Sequence, residues 1–135
     1  MNKRALLFLL LAVVVASCGD NPLKPSDLKE VTWKLESIER AGSPTIMVPD
    51  PEKYTLTIGN DGSLTVHADC NQCRTTYSLD GNTLSVGRMA CTLVACSPGS
   101  LDGTYSGLLE GSSSVAISDS QLVLRNSTGT LRFRN

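Results

Sequence analysis

The sequence predicts a mainly β, α+β domain: a small antiparallel curled sheet or barrel of about eight short strands, one packed helix and disulfide staples. Three observations carry this expectation. Short segments alternate apolar and polar residues, with turn residues between them. Only one stretch has helical spacing. Five cysteines are present, one at the end of a leader and four within the body of the chain. Aromatics are few (one Trp, three Tyr, two Phe), so aliphatic side chains must fill most of the core.

The elements follow in order. Val31, Trp33 and Leu35 alternate with Thr32, Lys34 and Glu36, the period of a half-buried strand. Gly42-Ser43-Pro44 breaks the chain, and Ile46-Met47-Val48 is a short apolar run. Tyr54–Ile58 and Leu64–Ala68 flank Asn60-Asp61-Gly62 and read as a hairpin. Thr75, Tyr77 and Leu79 lead into a second hairpin, and Leu84 and Val86 lead out. With Gly81-Asn82 as its loop, Leu79 faces Leu84 and Tyr77 faces Val86; Asp80-Gly81 is the competing loop. Leu101, Tyr105, Leu108 and Leu109 have helical spacing within Ser100–Glu110, weakened by Gly103 and Gly107, with Gly111 as a stop. Three closing strands are marked by Val115 and Ile117, Leu122 and Leu124, and Leu131 and Phe133.

The leader reads as an export signal. Lys3 and Arg4 precede an apolar run of 12 residues, Ala5 to Ala16. As a helix that run spans about 18 Å, short of the roughly 30 Å core of a bilayer. It ends in Val15-Ala16-Ser17-Cys18, which resembles a lipobox. The resemblance implies a diacylglycerol thioether on Cys18 and cleavage before it. Residues 1–17 are then the signal peptide, 18–29 a lipidated tether with Pro22 and Pro25, and 30–135 the domain. The membrane is a partner through that lipid. Gly19 rather than Asp follows Cys18, which by the sorting rule favours the outer membrane, facing the periplasm, in a host with two membranes.

Export places Cys70, Cys73, Cys91 and Cys96 where thiols oxidise, so an even number reads as disulfides. The Gly81-Asn82 loop sets Cys73 opposite Ala90, beside Cys91, and nests Cys70 with Cys96. The Asp80-Gly81 loop sets Cys70 opposite Cys91 and leaves Cys73 for Cys96. A zinc thiolate site fits an oxidising compartment poorly, and a redox pair at Cys70-x-x-Cys73 lacks the helix N-terminus that chemistry needs.

Several of these residues together resemble the META domain, also called HslJ-like, over roughly residues 30–135. They are Trp33-Lys34-Leu35, Asp69-Cys70-Asn71, Tyr77, Leu84, Thr92-x-x-Ala95-Cys96, Leu108-Leu109, and the terminal Leu122-x-Leu124 and Leu131-x-Phe133. The resemblance implies that Asn71, Tyr77, Thr92 and Ala95 are family positions. It also implies that Cys70 and Cys96 are the family's cysteine pair and Cys73 and Cys91 an added one, which agrees with nesting. Asp69 and Thr76 stand where the family usually has glycine. The family implies a small β-barrel with a packed helix, similar to a secretion pilotin whose barrel takes up lipid. It also implies envelope lipoproteins linked to stress, without a defining enzymatic activity.

The composition narrows function. Lys and Arg number 12 against 13 Asp and Glu; without Lys3 and Arg4 the balance is 10 against 13, or −3. No basic stripe marks a nucleic-acid partner. The single histidine, His67, alternates away from the apolar face of its strand, and no nucleophile has a partner histidine at readable spacing. Arg125, Arg132 and Arg134 lie on polar faces of the last strands. The expectation is therefore a non-enzymatic envelope protein without cofactor or metal. It binds a protein partner or an apolar ligand, with the barrel mouth as the default site, in a stress-response or envelope-maintenance role. The alternative is a protease-inhibitor-like module that presents a stapled loop, Asn71–Arg74 or Thr92–Pro98.

Overall fold

The computed structural model describes residues 23–135. Ten strands and one helix follow in order: β1 (Thr32–Arg40), β2 (Ile46–Met47), β3 (Tyr54–Ile58), β4 (Ser63–Ala68), β5 (Asn71–Asp80), β6 (Thr83–Val86), β7 (Ala90–Cys91), α1 (Asp102–Leu109), β8 (Gly111–Ser118), β9 (Gln121–Asn126) and β10 (Gly129–Arg134). Eight of them close an antiparallel barrel in the order β1-β3-β4-β5-β6-β8-β9-β10, with β10 returning to β1. Closure gives each barrel strand a neighbour on both sides, which removes long open edges. The remaining two are short continuations. β2 lies on the same side of β1 as β3, and β7 on the same side of β5 as β6.

Alternation decides which side chains point inward. Leu56, Ile58, Leu64, Val66, Leu84, Leu122, Leu124 and Leu131 are buried at period two along their strands. In β1 the register shifts between Leu35 and Ser37, and Ile38 rather than another odd-numbered residue continues the core. The second hairpin uses the Gly81-Asn82 loop, pairing Leu79 with Leu84 and Tyr77 with Val86. Between β6 and β7 the register slips by one residue, so Cys73 faces Cys91 itself rather than Ala90.

Four local expectations change. β5 begins at Asn71, not Thr75, because Asn71 and Cys73 continue the inward face of that strand. The helix is shorter than its spacing suggests, eight residues from Asp102 to Leu109, and Gly111 at φ +92° opens β8 directly. Ile46 and Met47 are exposed, Met47 by 70%, and only Val48 of that run is buried. The fold also starts before residue 30. A 3-10 turn at Pro25–Asp27 delivers Leu28 into the core, where its carbonyl accepts the Trp33 indole N–H at 3.2 Å.

The barrel has two distinct ends. The chain enters at one, where Leu23 N–H donates to Asn82 Oδ1 and Glu30 N–H to Ile58 O. The opposite end carries α1 and both disulfides. Tyr105 of α1 is fully buried, its ring 6.0 Å from both Tyr54 and Phe133, so the helix fills the mouth from within. Tyr105, Leu108 and Leu109 thereby join the buried core at the end where the sequence places the default site.

Candidate functional site

The structure joins Cys70 to Cys96 and Cys73 to Cys91, a nested pair of disulfides with Cα separations of 5.6 and 4.0 Å. Both hold the segment after β7 against the start of β5. Between them lies the loop Thr92-Leu93-Val94-Ala95.

Asn71 organises this loop. Its side chain is buried at the first position of β5. Oδ1 accepts the Val94 N–H at 2.8 Å and the Thr92 hydroxyl at 3.0 Å. Nδ2 donates to Val94 O at 3.0 Å and to Asp102 Oδ2 at 3.1 Å, which ties the loop to the first turn of α1. Thr92 extends the knot, because its hydroxyl accepts the Gln72 N–H and its own N–H donates to Gln72 O, both at 3.0 Å. A buried carboxamide whose donors and acceptor are both engaged costs little to desolvate and fixes one geometry.

The result is an apolar side chain held rigidly in water. Leu93 is 97% exposed and Val94 56%, while the residues that flank Leu93 on either side are anchored to Asn71. A loop that merely needed to connect β7 to α1 would gain nothing from leaving these two side chains out. Sequence reading marked the Thr92–Pro98 segment but not Leu93, Val94 or Asp102. The available signal was an adjacent apolar pair between two half-cystines, where strand alternation cannot bury both.

The other expected residues are more dispersed. Tyr77 lies toward the chain-entry end, where its hydroxyl donates to Gly59 O at 2.7 Å. Ala95 is exposed, and no contact explains its identity. Asp69 adopts φ +57°, a left-handed conformation that glycine takes freely and aspartate tolerates. The glycine usual at that position in the resemblance has this physical reason. His67 meets Gln72 Nε2 at 2.6 Å on the outer face. Arg132 and Arg134 pair with Glu39 at 3.7 Å and Glu36 at 2.7 Å, and Arg125 donates to Thr130, so these cations are satisfied locally. Cys18 lies outside the described residues. Among the described residues no helix is long and apolar enough to cross a membrane, and no cluster of three metal-ligating side chains forms.

The fold is a closed meander barrel whose mouth is filled by its own helix and whose one end carries a stapled loop. The chain belongs to the META domain family, whose model matches residues 26–135. Solved structures carry the same fold. A protein from Burkholderia xenovorans, determined by NMR, is 25% identical and superposes with a TM-score of 0.66, over 86% of this chain and 90% of that one. A lipocalin-like protein from Bacteroides uniformis, known from a crystal structure, is 21% identical with a TM-score of 0.55, over 81% of this chain and 98% of that one. No curated protein matches.

Proposed function

We propose that this chain is an exported, lipid-anchored envelope protein that binds a protein partner on the Thr92–Ala95 loop. The observation that carries this reading is Leu93, almost wholly in water yet fixed between two residues pinned by one buried asparagine. Binding normally costs about 0.5–1.5 kcal/mol for each side chain that must be immobilised, and much of the loop's ordering is met in advance here. A partner pocket that takes in Leu93 removes its apolar surface from water, which favours the complex. The packed interior disfavours an apolar small molecule as the cargo.

The anchor fits this arrangement. The described chain begins at the barrel end opposite the loop. A lipid on Cys18 then sets the loop away from the bilayer, toward the periplasm if the membrane is the outer one. An envelope-maintenance or stress role follows for a tethered binder of this kind.

Co-purification from the chain's own membranes, with the anchor intact, tests the reading. Leu93→Asp is expected to abolish recovery of the partner while leaving stability within about 0.5 kcal/mol, since the side chain touches almost nothing. An unchanged set of partners with the Asp variant refutes the loop as the site. The mass of the mature N-terminus tests the anchor, and an unmodified Cys18 removes it.

A further inference from the structure

We propose that the Thr92–Ala95 loop is a substrate-like inhibitor of a serine endopeptidase with an apolar specificity pocket, Leu93 being the residue that enters the pocket. The inference rests on the loop being the binding site argued above and names the partner's chemistry.

Conformation is the first argument. Thr92–Ser97 contains no turn or bend, and none of its residues has a positive φ. The segment is therefore extended, the form in which a chain lies along a protease cleft and adds to its edge by main-chain hydrogen bonds. Among the described residues the Leu93 N–H and C=O find no protein partner, so both are free for such bonds.

Retention is the second. In peptide cleavage the protease serine Oγ adds to the Leu93 carbonyl carbon. Its proton passes through the protease base to the Val94 nitrogen, the Leu93–Val94 C–N bond breaks, and an acyl-enzyme forms. Hydrolysis then requires the new amine to leave before water attacks. Here that amine belongs to Val94, whose nitrogen and carbonyl oxygen are both held by Asn71 and whose chain is fixed two residues later by the Cys70–Cys96 disulfide. The acyl side is fixed as well, through Thr92 to Asn71 and Gln72 and through the Cys73–Cys91 disulfide. A tethered amine of this kind acts at an effective molarity of about 10⁵ M or more and outcompetes water. The amine returns to the acyl carbon, the serine recovers its proton and the peptide bond re-forms. The enzyme stays occupied without net hydrolysis. Such complexes form with little backbone movement, which matches a loop already rigid when free.

Leu93 defines the specificity. A branched aliphatic side chain fits the large apolar pocket of chymotrypsin-type enzymes and leaves the acidic pocket of trypsin unpaired. The test titrates the full chain, disulfides intact, against chymotrypsin and trypsin using small chromogenic substrates. Chymotrypsin is expected to be inhibited and trypsin spared. Leu93→Lys should reverse that preference by at least about a hundredfold. Asn71→Ala should convert the loop into an ordinary substrate, cut at Leu93–Val94 at least about tenfold faster by mass spectrometry. Thr92→Val offers the same readout if the first variant fails to fold. Folded protein that inhibits neither enzyme, or inhibition unmoved by Leu93→Lys, overturns the proposal. A photocrosslinker at Leu93 separates this inference from the reading it rests on. A captured partner that reacts with a fluorophosphonate when free of the chain, and is protected from it by the bound loop, supports the inhibitor. A captured partner that does not react even when free of the chain overturns it while leaving the loop as a binding site, and no captured partner overturns both.

Discussion

Tyr105 shows what one residue contributes when its apolar body and polar tip have different surroundings. Its ring joins Tyr54 and Phe133 in the barrel interior, while its hydroxyl has no hydrogen-bond partner among the described residues. A buried hydroxyl without a partner costs about 1–3 kcal/mol. Tyr105→Phe keeps the ring and removes the hydroxyl, so it is expected to raise stability by about 1 kcal/mol in urea melts at pH 7. Burial also holds the phenol protonated well above the usual tyrosine range. The folded state thus keeps a proton that the unfolded chain loses above pH about 10. Stability from this group is intact below that pH and falls as pH rises further, by up to about 1.4 kcal/mol per pH unit. The Phe variant should lose that part of the alkaline slope, and an identical slope in both proteins would mean Tyr105 is not the group responsible.

The barrel is sealed where its first and last strands meet. β1 and β10 pair from Lys34–Arg134 to Arg40–Gly129, and Glu36–Arg134 and Glu39–Arg132 ion pairs cross the seam. Exposed pairs such as these add little. The backbone pairing and Leu35, Ile38, Leu131 and Phe133 beneath it hold the seam. At its end a Cβ on Gly129 would collide with the carbonyl oxygen of Glu39, a backbone atom that cannot swing aside. Gly129→Ala should therefore cost about 2 kcal/mol or more and speed hydrogen exchange along Ile38–Arg40 ahead of the rest of the barrel. A loss under about 0.5 kcal/mol would show the seam to be slack. Strand alternation made most of these elements legible in the sequence, and it narrowed the second hairpin to two registers, of which the structure takes the Gly81-Asn82 loop with Leu79 facing Leu84. Closure through β10–β1, the phase change at Leu35–Ser37 and the one-residue slip before Cys91 were not legible. Each depends on a long-range partner rather than on local pattern. The site was half legible for the same reason. Asn71 and Thr92 stood out as residues, but the bonds that join them to Val94 and Asp102 cross more than twenty positions of sequence.

For the molecule as a whole, the two disulfides act as one device because they are nested. Cys70–Cys96 closes a separation of 26 residues and Cys73–Cys91 one of 18. Taken singly, each removes chain entropy worth about 3 kcal/mol. Once the inner bond is closed, however, the outer one closes a ring of only roughly nine residues, worth about 2.5 kcal/mol. Removing one staple from the native chain is thus cushioned by the other, whereas removing both exposes the full loop entropy. Cys70→Ala with Cys96→Ala, and separately Cys73→Ala with Cys91→Ala, should each cost about 2–2.5 kcal/mol in urea unfolding. All four substitutions together should cost about 1 kcal/mol more than those two losses combined. Equal values would mean that the staples act through native contacts around Asn71 rather than through the unfolded chain. A total near 6 kcal/mol is comparable to the entire stability of many domains of this size, so the fold is expected to persist only where thiols stay oxidised. That dependence couples the loop's rigidity, and with it the capacity to hold a partner, to the redox state of the compartment in which the chain works.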